Sequence, residues 1–223
     1  MSRSAARTGV AALVTAFLVA GAAACGSPDE PAASEPAAEP SPDRAVACSL
    51  LDAEQRAELV GERVDEVTDP ALSDLGLQCR WGDNVTFVEV SSLDAGAWAR
   101  SLPGLIDSLR GSGRPISPED DAELTRLTAL VDGRETLTAV DACELFAPLA
   151  QAIGAEPVDG EVVAFLPLGS GTGVQAQTCT DGVFTSVVFS AEGLTESAEV
   201  ADRARTALRS AHRAAIDSGA VPT

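Results

Sequence analysis

The single histidine is the first residue to consider for chemistry, because histidine is the side chain most often used in acid–base catalysis. His212 lies between Ala211 and Arg213 in a segment with helical spacing. A Ser-His-Asp triad would have to use it, yet the sequence contains no Gly-x-Ser-x-Gly motif, which exposes the nucleophile of many hydrolases. A lone histidine among arginine and alanine is typical of a solvated helix surface, and we predict that role for His212.

Missing residue types exclude several other kinds of enzyme. All 15 basic side chains are arginine, and the sequence contains no lysine and no tyrosine. Schiff-base lysines, phosphate-loop lysines, serine–lysine dyads and tyrosine acids are therefore impossible. One histidine, with four cysteines expected in disulfides, leaves only carboxylates as zinc ligands. We predict a non-enzymatic protein without cofactor or metal. A hydrolase with two carboxylates about 5 to 10 Å apart is an alternative that no motif supports.

Two further segments have residue types suited to ligand binding. The glycine-rich run 169–173 could cradle a phosphate with backbone N–H groups. It has no following lysine and lies between two β-rich runs, so a hairpin connection is favoured. The acidic run 119–121 with Glu123 could hold calcium, but it lacks the ligand spacing and central glycine of an EF-hand loop. Acidic residues also suit the first turn of a helix, which is the interpretation we prefer.

The two tryptophans are the remaining candidates for binding. Trp81 follows Cys79 by two residues, and Trp98 lies in a predicted helix. Together they could form an aromatic binding surface. A tryptophan beside a disulfide more often packs in a core, so both interpretations stay open at this point.

The elements that position these residues belong to two copies of one pattern. In the first copy Cys48-Ser49-Leu50-Leu51 opens a helical stretch that ends at Gly61, and in the second Cys143-Glu144-Leu145-Phe146 opens one that ends at Gly154. Each copy continues through a second cysteine into a β-rich run and then a long helix. The predicted strands are 85–90 and 183–189, and the predicted helices are 94–110 and 195–217. We predict an α+β fold in which two related halves, each with a helix, antiparallel strands and a helix, pack together.

Capping signals mark the ends of several helices. Asp52 with Gln55, and Asp141 with Glu144, have capping-box spacing, so each short helix should start at or just after its cysteine. Between the copies, the dipeptide Ser117-Pro118 predicts the N-cap and first residue of a helix that ends near residue 133 and packs across both halves.

The last helix carries an apolar stripe made mostly of alanine. Small side chains let a helix lie close against a sheet, so we expect this helix to pack tightly on the strands. The stripe consists of Val200 or Ala201, Ala204, Leu208, Ala211 and Ala215.

The repeat also predicts the disulfides. Four cysteines allow three pairings. The equivalence of the copies selects Cys48 with Cys79 and Cys143 with Cys179, so that each bridge ties the first helix of a copy to its central strand. A CxxC redox pair or a thiolate metal site is the rival interpretation, but no two of these cysteines lie close in sequence.

The fifth cysteine follows an export signal. Residues 1–24 carry two arginines near the start, Arg3 and Arg7, and then an apolar stretch of about 15 residues. This stretch is shorter than the roughly 20 residues that a membrane-spanning helix needs. The run Ala22-Ala23-Ala24-Cys25-Gly26-Ser27 resembles the lipobox of bacterial lipoproteins, whose cysteine carries diacylglycerol. We expect Cys25 to be lipidated and to anchor the protein to the outer face of the cytoplasmic membrane. An ordinary cleavage site and a freely secreted protein are the alternative.

Charge limits the possible partners. Removal of residues 1–24 leaves 13 arginines against all 34 acidic residues, so the formal net charge changes from −19 to 13 − 34 = −21. This charge argues against nucleic acid, which needs a basic stripe. It also repels anionic lipid headgroups, so only the lipid at Cys25 should contact the membrane.

Composition divides the chain into five predicted segments. The stretch after Cys25 is rich in proline and acidic residues, so it cannot form a hydrophobic core. We interpret it as an extended tether. The segments are a signal peptide at 1–24, the lipidated cysteine and linker at 25–44, a first α+β repeat at 45–115, a helical connector at 116–134 and a second α+β repeat at 135–219.

The first copy resembles a known family. The run Cys48-Ser49-Leu50-Leu51-Asp52, then Gly61, then Cys79-Arg80-Trp81 before a valine-rich strand is similar to an actinobacterial lipoprotein family of unknown function. In that family a Cys-x-Leu-Leu helix and a Cys-x-Trp strand are joined by a disulfide. The resemblance covers roughly residues 45–110, and the second copy departs from it at Cys179-Thr180-Asp181, which lacks the tryptophan. It implies no activity and no catalytic residues.

These observations lead to one expected function and two alternatives. We expect a non-enzymatic binding or interaction module, lipid-anchored and extracytoplasmic, that meets an unknown protein or small ligand. The first alternative is a carrier that holds a small ligand or lipid in an apolar cavity. The second is the carboxylate hydrolase already described.

Overall fold

Thirteen helices and strands make up the described parts of the computed structural model, which are residues 42–68, 76–112, 115–133, 137–168 and 171–219. In chain order they are α1 (Pro42–Cys48), α2 (Ala53–Val60), β1 (Val67–Thr68), β2 (Gly76–Gly82), β3 (Phe87–Asp94), α3 (Ala95–Gly111), α4 (Pro118–Asp132), α5 (Ala139–Cys143), α6 (Phe146–Ala152), β4 (Glu161–Leu168), β5 (Gly171–Thr180), β6 (Val183–Ser190) and α7 (Ala198–Ser218).

The six strands form one antiparallel sheet in the order β1-β2-β3-β6-β5-β4. The first copy supplies one side of this sheet and the second copy the other. They meet where β3 pairs with β6, from Phe87 opposite Ser190 to Asp94 opposite Val183. The predicted α+β class with antiparallel strands is confirmed, and the strands of both copies are hydrogen-bonded into a continuous sheet. The predicted limits of the five segments stay predictions.

Alternation along the strands creates two faces with separate cores. On the first face, Val90 of β3 and Val187 of β6 pack with α1, α2 and α7. On the second face, Leu93 of β3 and Phe184 of β6 pack with α3, α4, α5 and α6. Both cores contain residues from both copies, so neither copy has a core of its own.

Equivalent helices of the two copies lie on opposite faces of the sheet. The short helices of the first copy share the first face with α7 of the second copy, while the short helices of the second copy share the second face with α3 of the first. If the two copies were related by symmetry, the antiparallel pairing of β3 with β6 would require a two-fold axis normal to the sheet. Such an axis would place equivalent helices on the same face. The copies therefore share an element order and a disulfide position, but they are not related by this symmetry.

Local signals explain most helix ends. The Asp52 side chain accepts a hydrogen bond from the Gln55 backbone, and the Gln55 side chain accepts one from the Asp52 backbone, which is the predicted capping box. Ser117 caps α4, Pro118 is its first residue, and α4 ends at Gly133. Helix α4 packs against α3 of the first copy and α6 of the second, as predicted for the connector.

Two details of the helix prediction are wrong. Cys48 ends α1 rather than opening a helix, and Cys143 likewise ends α5. Asp141 is not a cap, because the Thr138 hydroxyl accepts the hydrogen bond from the Asp141 backbone and caps α5 instead. Thr138 thus forms the capping bond that Asp141 was predicted to form with Glu144, and the helix begins one turn earlier than predicted.

The two disulfides tie short helices to the sheet, and α7 packs directly against it. Both predicted disulfide pairs are confirmed: Cys48 bonds to Cys79, and Cys143 bonds to Cys179. The alanine stripe of α7 is buried against the sheet, as expected, and consists of Val200, Ala204, Leu208, Ala211 and Ala215. Within the described ranges, no helix is both long and apolar enough to cross a bilayer.

Candidate binding cleft

The proposed anchor lies outside the described residues. Cys25, the signal segment before it and the linker up to residue 41 belong to that part of the chain. Pro42 begins the described structure, as the first residue of α1. The described residues therefore bear on the folded module that the anchor is proposed to carry.

Both tryptophans are core residues. Trp81 and Trp98 are each 2% exposed. The Arg56 guanidinium lies 4.5 Å from the centre of the Trp81 ring on the first face. The Trp98 ring stacks on Phe184 on the second face, with ring centres 5.1 Å apart. Because the two indoles lie in different cores and neither reaches the surface, the interpretation as an aromatic binding surface is wrong and the packing interpretation describes them.

His212 is half-buried and bonded to two threonines, so the prediction of a solvated histidine is wrong. Its Nε2 lies 2.7 Å from the Thr180 hydroxyl, and its Nδ1 lies 2.9 Å from the Thr185 hydroxyl. Burial lowers the pKa of His212, and the negative charges of Asp181 and Glu161 offset part of this effect. Both ring nitrogens therefore serve to hold α7 against β5 and β6.

A second polar contact fixes α7 to the sheet edge. The Arg209 guanidinium donates two hydrogen bonds to the Glu161 carboxylate of β4, at 2.5 and 2.9 Å. The Glu161 side chain is 8% exposed, whereas that of Arg209 is 55% exposed. An arginine–carboxylate ion pair with two parallel hydrogen bonds is stronger than one with a single bond. The Glu161 carboxylate therefore has a structural role, which is to hold α7 against β4.

The second face carries a buried polar group that the sequence did not single out. Glu89 is 3% exposed, accepts a hydrogen bond from the Gln78 side chain at 2.9 Å and lies 3.5 Å from the Arg80 guanidinium. Burial raises the pKa of Glu89, although the contacts with Gln78 and Arg80 lower it in part. On the same face the Gln175 amide donates to Ser186, and its oxygen is buried without a partner among the described residues.

The other two sequence candidates have structural positions. Residues 119–121 form the first turn of α4, where Arg110 pairs with Asp121 at 2.8 Å and Arg126 pairs with Glu123 at 2.5 Å. Two of the five residues of the glycine-rich run, 169–170, lie outside the described ranges. Its remaining residues begin β5, which pairs with β4 up to Leu168 opposite Gly171.

A cleft of about 680 Å³ lies between α2 of the first copy and α7 of the second. Its two apolar lining residues, Leu59 and Ala207, are both buried and contribute little accessible surface. Its other lining residues are polar or charged: Gln55, Glu58, Glu199, Asp202, Arg203 and Thr206. The volume falls within the range of small-molecule sites, but six of the eight lining residues are polar or charged, whereas such sites are usually lined mostly by apolar side chains.

Two hydrogen bonds across the cleft hold its walls together. Arg203 of α7 donates through Nη1 to the backbone carbonyl of Glu58 at 2.6 Å. Gln55 of α2 donates through its amide to the Ser210 hydroxyl of α7, also at 2.6 Å. Since both walls are helices tied to one sheet, the cleft is formed before any ligand arrives.

The charges of the cleft are mostly negative. Glu58, Glu199 and Asp202 are exposed carboxylates, and Arg203 is the one basic residue among the lining side chains described. Asp202 pairs with Arg205 one turn along α7 at 3.1 Å. Glu58 and Glu199 form no ion pair with any other described residue. Two unpaired carboxylates therefore line the cleft, one on each wall.

Sequence reasoning missed this cleft. Its only local signal is the spacing of Glu199, Arg203 and Thr206, which puts them on one side of α7. The opposite wall comes from a helix more than 130 residues earlier in the chain. No group of three or more histidine, cysteine or acidic residues suited to a metal occurs within the described ranges. No family model, no curated protein and no solved structure matches the chain.

Proposed function

We propose that the protein is a lipid-anchored, extracytoplasmic binding module that takes its ligand or partner in the cleft between α2 and α7. The observation that carries the binding role is the cleft itself: a preformed site of about 680 Å³, built from both copies and lined mostly by polar and charged side chains. A preformed site loses less ordering entropy when a ligand binds, which favours affinity.

The sequence and the disulfides support the location. The lipobox run ending at Cys25 supplies the anchor, and two disulfides suit a compartment that is oxidising. The other four cysteines are thus used in structure, and Cys25 is left for the lipid. A polyacyl anchor would hold the protein far more firmly than a single reversible acyl chain does.

A non-catalytic role is supported by the contacts of the ionisable residues. Both nitrogens of His212 contact threonine hydroxyls, and Glu161 is held by Arg209. Glu58 of α2 and Glu199 of α7 line the cleft from its two walls, which is the one observation that favours a carboxylate hydrolase. Both are exposed, however, and the general acid of a glycosidase needs an apolar environment that keeps its carboxyl protonated. Binding is therefore the better account of the cleft.

Carriage of a lipid is less well supported. A carrier needs an apolar cavity that encloses most of the ligand. The cores on both faces of the sheet are filled by side chains, and six of the eight residues that line the cleft are polar or charged. A surface cleft of this kind suits a ligand with polar groups.

The anchor and the cleft are tested separately. For the anchor, intact-mass analysis of the membrane-extracted protein should show a diacylglyceryl modification, and Cys25→Ala should release the protein into the medium. Unchanged membrane retention of Cys25→Ala, with no acyl mass on the wild type, would refute the lipoprotein assignment.

For the cleft, the full chain with a C-terminal tag is crosslinked in cells and purified from membranes. The double variant Glu58→Gln/Glu199→Gln should lose the crosslinked ligand or partner that the wild type captures. The matched control is Glu119→Gln: Glu119 and Glu199 are both the second residue of a serine-capped helix, but Glu119 lies on α4, far from the cleft lining. Equal capture by the wild type, the control and the double variant would place binding elsewhere.

A further inference from the structure

We infer that the Cys48–Cys79 bridge protects the cleft from tension in the tether. This inference rests on the proposed anchor and the proposed binding role, because a protein held by the membrane at one end and by a partner at its cleft is pulled between the two. The chain before Pro42 joins the fold at α1, and Cys48 is the last residue of α1. Its sulfur is bonded to Cys79 of β2, so tension that enters at α1 passes directly into the sheet.

Without this bridge, tension in the tether reaches α2 next. Helix α2 begins at Ala53, a few residues after α1, and β1 follows it in the chain. Two hydrogen bonds join α2 to α7 across the cleft, one from Gln55 to Ser210 and one from Arg203 to the Glu58 carbonyl. A helix that is pulled from one end leaves its neighbours one contact after another, so each contact meets the full force alone. The α2 wall of the cleft would therefore be lost before the sheet breaks.

With the bridge in place, the sheet takes the tension instead. Cys79 is 1% exposed and lies opposite Val90 of β3. Strand β2 pairs with β3 at seven positions, and β3 pairs with β6 at eight. Tension at Cys79 is thus shared among many backbone hydrogen bonds. Helix α2 and strand β1 lie in the loop that the bridge closes, and the tension bypasses that loop.

The second bridge provides a matched comparison. Cys143–Cys179 spans a sequence separation of 36 residues, against 31 for Cys48–Cys79. Loops of similar length give similar stabilisation in the chain-entropy model. The second bridge ties α5 to β5, however, and does not lie between the tether and α2. The two bridges are therefore nearly equal in their effect on unfolding by urea and unequal in their effect on tether tension.

The test is an optical-trap measurement on the mature chain with Cys25→Ala. One handle is attached at the N-terminus and the other in place of Glu192, an exposed residue between β6 and α7, so that α7 lies outside the pulled segment. With both bridges present, only residues 42–47 should extend before the sheet breaks, which adds about 20 Å of contour length.

Removal of the first bridge should add an early event. In Cys48→Ala/Cys79→Ala, residues 42–66 should extend at a force below that of the sheet and add about 90 Å of contour length. The control Cys143→Ala/Cys179→Ala should lack this event. A second measurement does not require the first variant to fold: reductant is added to the folded control molecule while it is held in the trap. This breaks its remaining bridge, and the 90 Å event should then appear.

Two results would overturn the inference. One is the absence of the early event after the Cys48–Cys79 bridge is removed or reduced, and the other is its presence in the control while that bridge is intact. The measurement uses no ligand, so its outcome is independent of whether the cleft binds a partner in cells. If the trap result is as expected and the cleft captures nothing, the binding role fails and the effect of the bridge on α2 stands.

Discussion

The two disulfides and the two tryptophans allow a direct test of whether the two cores unfold together. Because β3 and β6 pair along their full length and each core mixes residues of both copies, we expect one cooperative transition. The perturbation is the removal of a single bridge with Cys143→Ala/Cys179→Ala. That bridge lies on the second face, next to the core that contains Trp98.

The expected cost follows from the length of chain that each bridge closes. The sequence separation is 36 residues for Cys143–Cys179 and 31 for Cys48–Cys79. In the chain-entropy model these separations correspond to losses of about 3.8 and 3.7 kcal/mol in the free energy of unfolding at 25 °C. The loss arises in the unfolded chain, so in a cooperative protein it applies to every part of the fold.

The assay is urea unfolding followed by tryptophan fluorescence in two single-tryptophan backgrounds. Trp98→Phe leaves Trp81, which reports on the first-face core, and Trp81→Phe leaves Trp98, which reports on the second-face core. With a slope of about 2 kcal/mol per molar urea, removal of the Cys143–Cys179 bridge should lower both midpoints by about 2 M. Removal of the Cys48–Cys79 bridge should have nearly the same effect on both reporters.

The refuting result is a difference between the reporters. If Cys143→Ala/Cys179→Ala lowers the midpoint seen by Trp98 and leaves that of Trp81 unchanged, the two cores unfold independently. The shared sheet would then contribute little to cooperativity between its two faces.

Three further predictions concern polar contacts. Arg209→Met should lower the free energy of unfolding in urea by about 1 to 3 kcal/mol, because it leaves the buried Glu161 carboxylate unpaired. Glu161→Gln should cost only about 0.5 to 1 kcal/mol, because Arg209 is exposed, and equal costs would contradict this account. Burial raises the pKa of Glu89 above its ordinary value of 4.5, so the folded state binds the proton of this carboxyl more tightly than the unfolded chain does. The wild type should therefore lose stability as the pH rises from 4.5 through the raised pKa of Glu89. Glu89→Gln should reduce that loss between pH 4.5 and 8 in urea unfolding, and superimposable pH profiles would argue against it. Burial lowers the pKa of His212, so its NMR ring-proton titration should have a midpoint below 6.5, and the stability it contributes above pH 6.5 should be lost as pH falls. A midpoint at or above 6.5 would count against the burial argument.

The features that the sequence predicted correctly depend on short-range chemistry or on the repeat. The capping box at Asp52 and Gln55 and the Ser117-Pro118 helix start involve residues within one turn of each other, so their geometry is fixed locally. The disulfide pairs followed from the equivalence of the copies. The alanine stripe of α7 was visible because its period is that of a helix.

The features that the sequence did not predict depend on long-range placement. The periodicity of α7 shows which side is buried but does not show which face of the sheet it covers. The copies place equivalent helices on opposite faces, so the symmetry that identified the disulfides gives the wrong neighbours for α2 and α7. His212 was misassigned for the same reason, because Thr180 and Thr185 come from strands about 30 residues away.

The placement of equivalent helices on opposite faces is also what creates the cleft. Helix α2 follows α1, which the Cys48–Cys79 bridge ties to β2, while α7 is held to β4 by Glu161. If equivalent helices lay on the same face, α7 would share a face with α3 rather than with α2, and the carboxylates of Glu58 and Glu199 would not line one cleft. The site therefore requires both copies, and a duplication of a disulfide-linked unit acquires a surface that one unit alone would lack. Binding at this surface is expected to stabilise the association of the copies, since a ligand that contacts both walls binds only when they are together.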